Sequence, residues 1–124
     1  MISGSVVILK KRYKFMKEIY FNYIVWTKDG KQKLTYGHWM DFDYSKLHRL
    51  DGPAVEQANG AKHWYINGKR HRLDGPAIEW SNGTKEWWVN GNWLDTEKME
   101  SWLKENKVDL SEPEGQMAFK LRWI

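Results

Sequence analysis

The 124-residue chain has no cysteine, which excludes a disulfide framework, a thiolate zinc site and a thiol nucleophile. That absence suits a reducing cytoplasm. Long apolar runs are also missing. Ser5-Val6-Val7-Ile8-Leu9 falls well short of the roughly 18–20 residues of a membrane span. It is too short for a secretory core as well, and its positive charge follows it instead of preceding it. The expectation is a cytoplasmic protein with no membrane span. A charge imbalance is absent from most of the chain. The net charge is +4, from 20 Lys/Arg and 16 Asp/Glu. Residues 1–15 hold Lys10, Lys11, Arg12 and Lys14 and no acid, so 16–124 carries 16 of each sign and sums to zero. Residues 1–15 read as a basic N-terminal extension, or as lying ahead of an alternative start at Met16. A solvated tail is the expected role of that leader, and a contact with nucleic acid or acidic lipid is confined to it.

Motifs for common chemistry are missing too. There is no phosphate loop, nucleophile elbow or dinucleotide fingerprint. His38, His48, His63 and His71 lack metal-ligand spacing, so neither a metal nor a cofactor is expected.

What is present is a repeat and nine tryptophans. His-Arg-Leu-Asp-Gly-Pro-Ala-Val-Glu at 48–56 recurs as His-Arg-Leu-Asp-Gly-Pro-Ala-Ile-Glu at 71–79. Asn59-Gly60 matches Asn82-Gly83, Lys62 matches Lys85, Trp64 matches Trp87, and Asn67-Gly68 matches Asn90-Gly91, always 23 residues apart. A weaker copy aligns Gly30 with Gly60, which sets Val25 against Val55 and Leu34 against Trp64, with about seven residues inserted near 37–45. Asn-Gly between β-formers predicts type I′ hairpin turns, and Asp-Gly-Pro marks a break. The expected fold is mainly β, an antiparallel meander of hairpins, one per repeat. In the register of two-residue turns, Val55 faces Trp64 and Ile78 faces Trp87 on a core face. Ala54 faces Tyr65 and Ala77 faces Trp88 on the other, Glu56 faces His63, and Glu79 faces Glu86 in a like-charge pair.

Asp95-Thr96-Glu97-Lys98 reads as a helix start, and Met99, Trp102 and Leu103 form one apolar stripe. Met117, Phe119, Leu121 and Trp123 alternate with polar residues, which predicts a strand. The organisation is therefore a leader at 1–15 and one repeat domain at 16–124. That domain comprises a degenerate repeat at 20–37, repeats at 47–69 and 70–92, a C-terminal α-helix at about 96–106 and a final strand at about 116–124.

The string running from Asn67 to Trp88 and its 23-residue period resemble MORN repeats, tandem β-hairpin units. They are closest to the His-Arg-x-Asp-Gly-Pro-Ala variant in proteins of tailed bacteriophages and giant viruses, several of which also end in a helix with Trp-Leu-Lys, like Trp102-Leu103-Lys104. The chain departs from standard units at Arg72 and Asp74-Gly75-Pro76-Ala77. The resemblance covers 47–106 and implies a non-enzymatic viral binding module in the host cytoplasm, acting on a host protein, with blockade of a host defence as the consequence.

The His-Arg-x-Asp sets, His48/Arg49/Asp51 and His71/Arg72/Asp74, invite an acid–base reading. Duplication with the scaffold favours a structural role, because Asp caps the turn and Arg can bridge it to a carbonyl. Tyr65 and Trp88, beside small Ala54 and Ala77, are the candidate binding surface, joined by His63, Glu86, Arg49 and Arg72. A protein partner is the first expectation. A small nucleotide-type ligand is the second, with Tyr65 and Trp88 stacking a base while Arg49, Arg72 or Lys62 holds phosphate. An enzyme is third, and an oligomer is compatible with any of them.

Overall fold

The computed structural model describes residues 21–30, 32–37 and 43–124; the basic leader and His38 lie outside them. Nine strands are described: β1 (Phe21–Trp26), β2 (Gln32–Gly37), β3 (Val55–Gln57), β4 (Lys62–His63), β5 (Tyr65–Ile66), β6 (Lys69–Arg70), β7 (Ile78–Glu79), β8 (Lys85–Val89) and β9 (Asn92–Leu94). Two helices follow, α1 (Thr96–Glu105) and α2 (Pro113–Trp123). The fold is mainly β and antiparallel. One sheet runs β2-β1-β3-β4-β7-β8-β9, and β5 and β6 form a separate hairpin.

The expected hairpins are present, but Asn-Gly makes two different turns. At 67–68 and 90–91 both residues have positive φ, 51° and 77°, then 49° and 79°. These are the two-residue type I′ turns of the sequence reading. At 59–60 and 82–83 only the glycine does, at 97° and 89°. There the Gly60 N–H donates to the Gln57 carbonyl at 2.9 Å and the Gln57 N–H to Ala61 at 2.8 Å, so the loop has three residues. The Asn59 side chain accepts the Ala61 N–H at 3.0 Å, and Asn82 accepts that of Thr84 at 2.9 Å. Strand-forming Ile66 and Val89 precede the tight turns, whereas Ala58 and Ser81 precede the wider ones.

That extra residue shifts the expected register by one. Val55 pairs with His63 and Glu56 with Lys62. Ile78 pairs with Glu86 and Glu79 with Lys85. The like-charge pairing of Glu79 with Glu86 therefore does not occur. A one-residue slip exchanges the two faces, so Tyr65 joins a core cluster with Tyr23, Val25, Leu47, Ala54 and Val55, while Trp64 is half-buried outside it.

The degenerate repeat is a hairpin, as read, but it enters the sheet the other way round. β4, the second strand of its hairpin, pairs with β7; β1, the first strand of its own, pairs with β3. Trp26 donates its N–H to Ala54 at 2.8 Å as Trp64 does to Ala77 at 2.8 Å. Trp26 therefore takes the place that the sequence alignment assigned to Leu34. Leu47 bridges to Thr27, which brings the chain back beside β1 and lets that strand receive the next repeat.

The helix at Thr96–Glu105 matches its expectation, with the Asp95 side chain accepting the Lys98 N–H at 3.1 Å. The final strand does not: Pro113–Trp123 is helical. Proline is favoured in the first helical turn, Glu114 lies in that turn, and Lys120 and Arg122 lie in the last, where both charges complement the helix dipole. Met, Ala, Lys, Leu and Arg are helix formers without β-branching. The alternation arises because α2 is apolar on two sides. Phe119 and Trp123 face inward, with Phe119 fully buried among Trp87, Val89, Met99 and Leu110. A second core thus forms under the helices.

Candidate binding surface

Of the expected site residues, Tyr65, Trp88, His63 and Glu86 lie on one side of the strands, as the pairings and the alternation of side chains require. Tyr65 is 4% exposed and His63 7%, so neither forms the open groove beside small alanines that was expected. Ala54 and Ala77 are fully buried and alternate to the other side. The surface consists instead of half-buried Trp88 and the more exposed Tyr44, Trp80 and Trp93. Trp93 is the cross-strand partner of Trp88. Tyr44 stacks on Tyr65 at 6.2 Å, and Trp80 meets His63 edge-on at 5.3 Å. Glu86 accepts the indole N–H of Trp80, and that of Trp88 at 3.1 Å, so one carboxylate orients two rings.

Arg70 lies among these rings and escaped the sequence reading. Its repeat counterparts are Leu47 and Trp93, so periodicity gave no signal. The type I′ turn at 67–68 pairs Tyr65 with Arg70, and the guanidinium lies 4.9 Å from the Trp88 ring and 6.0 Å from that of Tyr65, within cation–π range. Among the described residues no carboxylate forms an ion pair with it. Burial, helped by the Arg70 charge and opposed by Glu86, lowers the His63 pKa to about 4. Burial raises the pKa of Tyr65, against the pull of Arg70.

Arg49 and Arg72 lie on the opposite side and are engaged within the scaffold. Arg49 stacks 4.1 Å over Trp26, donates to Asp51 at 3.0 Å and to the Pro53 carbonyl at 3.2 Å. Arg72 lies 3.8 Å over Trp64, donates to Asp74 at 2.7 Å and Pro76 at 3.1 Å, and also to Glu79 at 2.7 Å. A Cβ on Gly52 or Gly75 would come within 2.9 or 2.8 Å of the guanidinium carbon, so a side chain there would push the arginine off its bonds to the Asp and Pro of the same turn. His48 and His71 use Nδ1 to accept the backbone N–H of Asn67 and Asn90, at 2.9 and 3.0 Å. Each of these histidines thus ties its link to the type I′ turn 19 residues further on. The structure does not bring Arg49 and Arg72 together with Tyr65 and Trp88, as a shared base-and-phosphate site would need. No group of three or more His, Cys, Asp or Glu able to hold a metal occurs among the described residues, and no described helix is long and apolar enough to cross a membrane.

Comparison with protein-family models, curated proteins and solved structures found no match to this chain.

Proposed function

We propose that this protein is a non-catalytic binding module that engages a protein partner through the surface formed by Tyr44, Trp80, Trp88 and Trp93 around Arg70. The observation that carries the proposal is Arg70 itself. The chain gives Arg49 and Arg72 their own carboxylates but leaves Arg70 among rings without one among the described residues. Tryptophan, tyrosine and arginine are the side chains that dominate binding energy at protein interfaces, and an acidic side chain from a partner would complete the ion pair. The engagement of His48 and His71 by backbone amides supports a structural reading of those residues over acid–base catalysis. The resemblance to viral repeat proteins extends the proposal to a host protein, met in the host cytoplasm, with interference in a defence as the consequence to be examined.

The test is photo-cross-linking in expressing cells, with a reactive residue at position 93 or, on the opposite side, at position 62. A protein captured from 93 and not from 62 is expected. Arg70→Ala and Trp93→Ala should then weaken its binding by roughly 30-fold, about 2 kcal/mol, while Lys62→Ala leaves it unchanged. Equal capture from both positions, or unchanged binding by both variants, overturns the assignment. A small phosphorylated ligand has less support, because Arg49 and Arg72 are engaged with Asp51 and Asp74 and lie on the side opposite Tyr65 and Trp88.

A further inference from the structure

Leu50 and Leu73 hold the same position in successive repeats, yet their surroundings differ. Leu73 packs against the cluster of Trp87, Met99, Leu110 and Phe119 under the helices. Leu50 is 82% exposed. Between the two links lies an open cleft of about 590 Å³, walled by Leu50, Trp64, Ile66 and Leu73 and bordered by Gln116 of α2. The chain therefore shows what it places over this position in one repeat, a helix, and leaves the equivalent position in the preceding repeat bare.

The outer side of α2 adjoins the cleft. Gln116 lines it, and Lys120, one turn on, is near enough to cleft-lining His71 to act on its charge. On the neighbouring side of the helix stand Met117, Leu121 and Ile124, at i, i+4 and i+7, exposed by 56%, 81% and 61%. With Leu50 they are the exposed large non-aromatic apolar side chains among the described residues. A helix that is apolar on a second side needs a second partner. Asp51 and Asp74 stand among the cleft-lining residues beside Arg49 and Arg72; each gives one carboxylate oxygen to its own arginine, yet their side chains are 86% and 56% exposed and stay open to a second cation. The exposed Lys120 flanks the stripe.

We propose that a second copy of this chain lays its Met117, Leu121 and Ile124 stripe into the cleft over Leu50, with Lys120 directed at Asp51, and that the contact is reciprocal. Each copy carries both the stripe and the cleft on one continuous surface, which is the requirement for a closed two-fold dimer, the commonest oligomer. The occupant repeats over Leu50 what the chain's own helical layer does over Leu73. Each copy contributes the contact twice, once as helix and once as cleft. That doubling brings a small patch toward the roughly 800 Å² per partner of a stable interface. The surface is separate from the aromatic one around Arg70, so either assignment can fail without the other.

Sedimentation equilibrium of the full chain, from about 1 to 500 µM, should show a monomer–dimer equilibrium. Leu121→Asp and Leu50→Asp, both at exposed positions and checked for native circular dichroism, should each weaken it at least tenfold. Lys120→Asp should weaken it too, and Asp51→Lys in the same chain should restore it. Because the chain has no cysteine, Leu50→Cys and Leu121→Cys proteins report directly. Mixed and oxidised, they should form the mixed disulfide in preference to either self-pair. A monomer throughout the range overturns the proposal. So does a dimer sensitive to Leu121→Asp but not to Leu50→Asp, which would place helix against helix. Preferential self-pairing of the Leu50→Cys protein or of the Leu121→Cys protein would overturn it as well.

Discussion

The backbone N–H of Asn90 donates to Nδ1 of His71 across 3.0 Å and 19 residues of sequence, and Asn67 makes the same bond to His48. The type I′ turn thus has an external anchor, and the acceptor must be an unprotonated ring nitrogen. Removing it leaves a backbone donor to find water. His71→Ala and His48→Ala should each cost about 1–3 kcal/mol, measured by urea unfolding. Stabilities equal to that of the parent in both variants would show that the bond is incidental to the turn.

Acidification should destabilise the protein ahead of its carboxylates. His63 has its pKa lowered from 6.5 to about 4, first by burial. Below pH 6.5 the unfolded chain takes up a proton that the folded chain refuses until about pH 4. Stability from this group is therefore complete above 6.5 and falls as the pH drops through that window, by roughly 3 kcal/mol in all. The His71 pKa is also lowered, by burial and then by Lys120, and adds to the loss with the same sign. Urea midpoints between pH 7.5 and 4 check this; a His63→Phe variant that keeps the whole slope would exonerate His63.

Two glycines with positive φ should respond differently to alanine. Gly60 has open space where a Cβ would stand, whereas on Gly68 it would lie 2.6 Å from the Ser45 carbonyl oxygen. Gly60→Ala bears only the left-handed backbone, about 1–2 kcal/mol. Gly68→Ala adds a backbone collision and should reach roughly 3 kcal/mol or more. Thermal melts of the pair give the comparison, and equal losses would contradict the close approach of Ser45.

The neighbours Trp87 and Trp88 separate packing from binding. Trp87 is 5% exposed, with its ring 6.2 Å from that of Phe119. Trp87→Ala should cost about 3–5 kcal/mol. Half-buried Trp88 contacts Arg70 and Glu86, so Trp88→Ala should cost nearer 1 kcal/mol while weakening partner binding. If both variants melt alike, the two sides of β8 are equally buried and the aromatic surface is misplaced.

Much of this was legible in the sequence because it is local. Positive φ at an Asn-Gly, the Asp95 cap and the Arg that reaches its own Asp-Gly-Pro turn all depend on residues within a few positions of one another. Trp87 as core was also legible, though the segment that brings Phe119 beside it is α2 and not the expected strand. The candidate surface was half legible. Trp88 and Glu86 were named, but Tyr65 proved to be core and Arg70 was missed. A cation that owes its place to a cross-strand pairing leaves no mark on a 23-residue period.

The sequence by itself determined that the chain forms repeated hairpins, where each reverses, and which link residues bind the turns, since steric limits on φ and short hydrogen bonds act within single units. Only the tertiary structure decided the one-residue register, the reversed entry of the first hairpin, the helical state of 113–123 and the burial of Tyr65 in place of Trp64. Two- and three-residue loops on the same Asn-Gly are close in local energy, and either strand of a hairpin can pair with a sheet. The choice falls to whichever arrangement removes most apolar surface from water at once, here Val25, Val55 and Tyr65 in one core and Trp87, Met99 and Phe119 in the other.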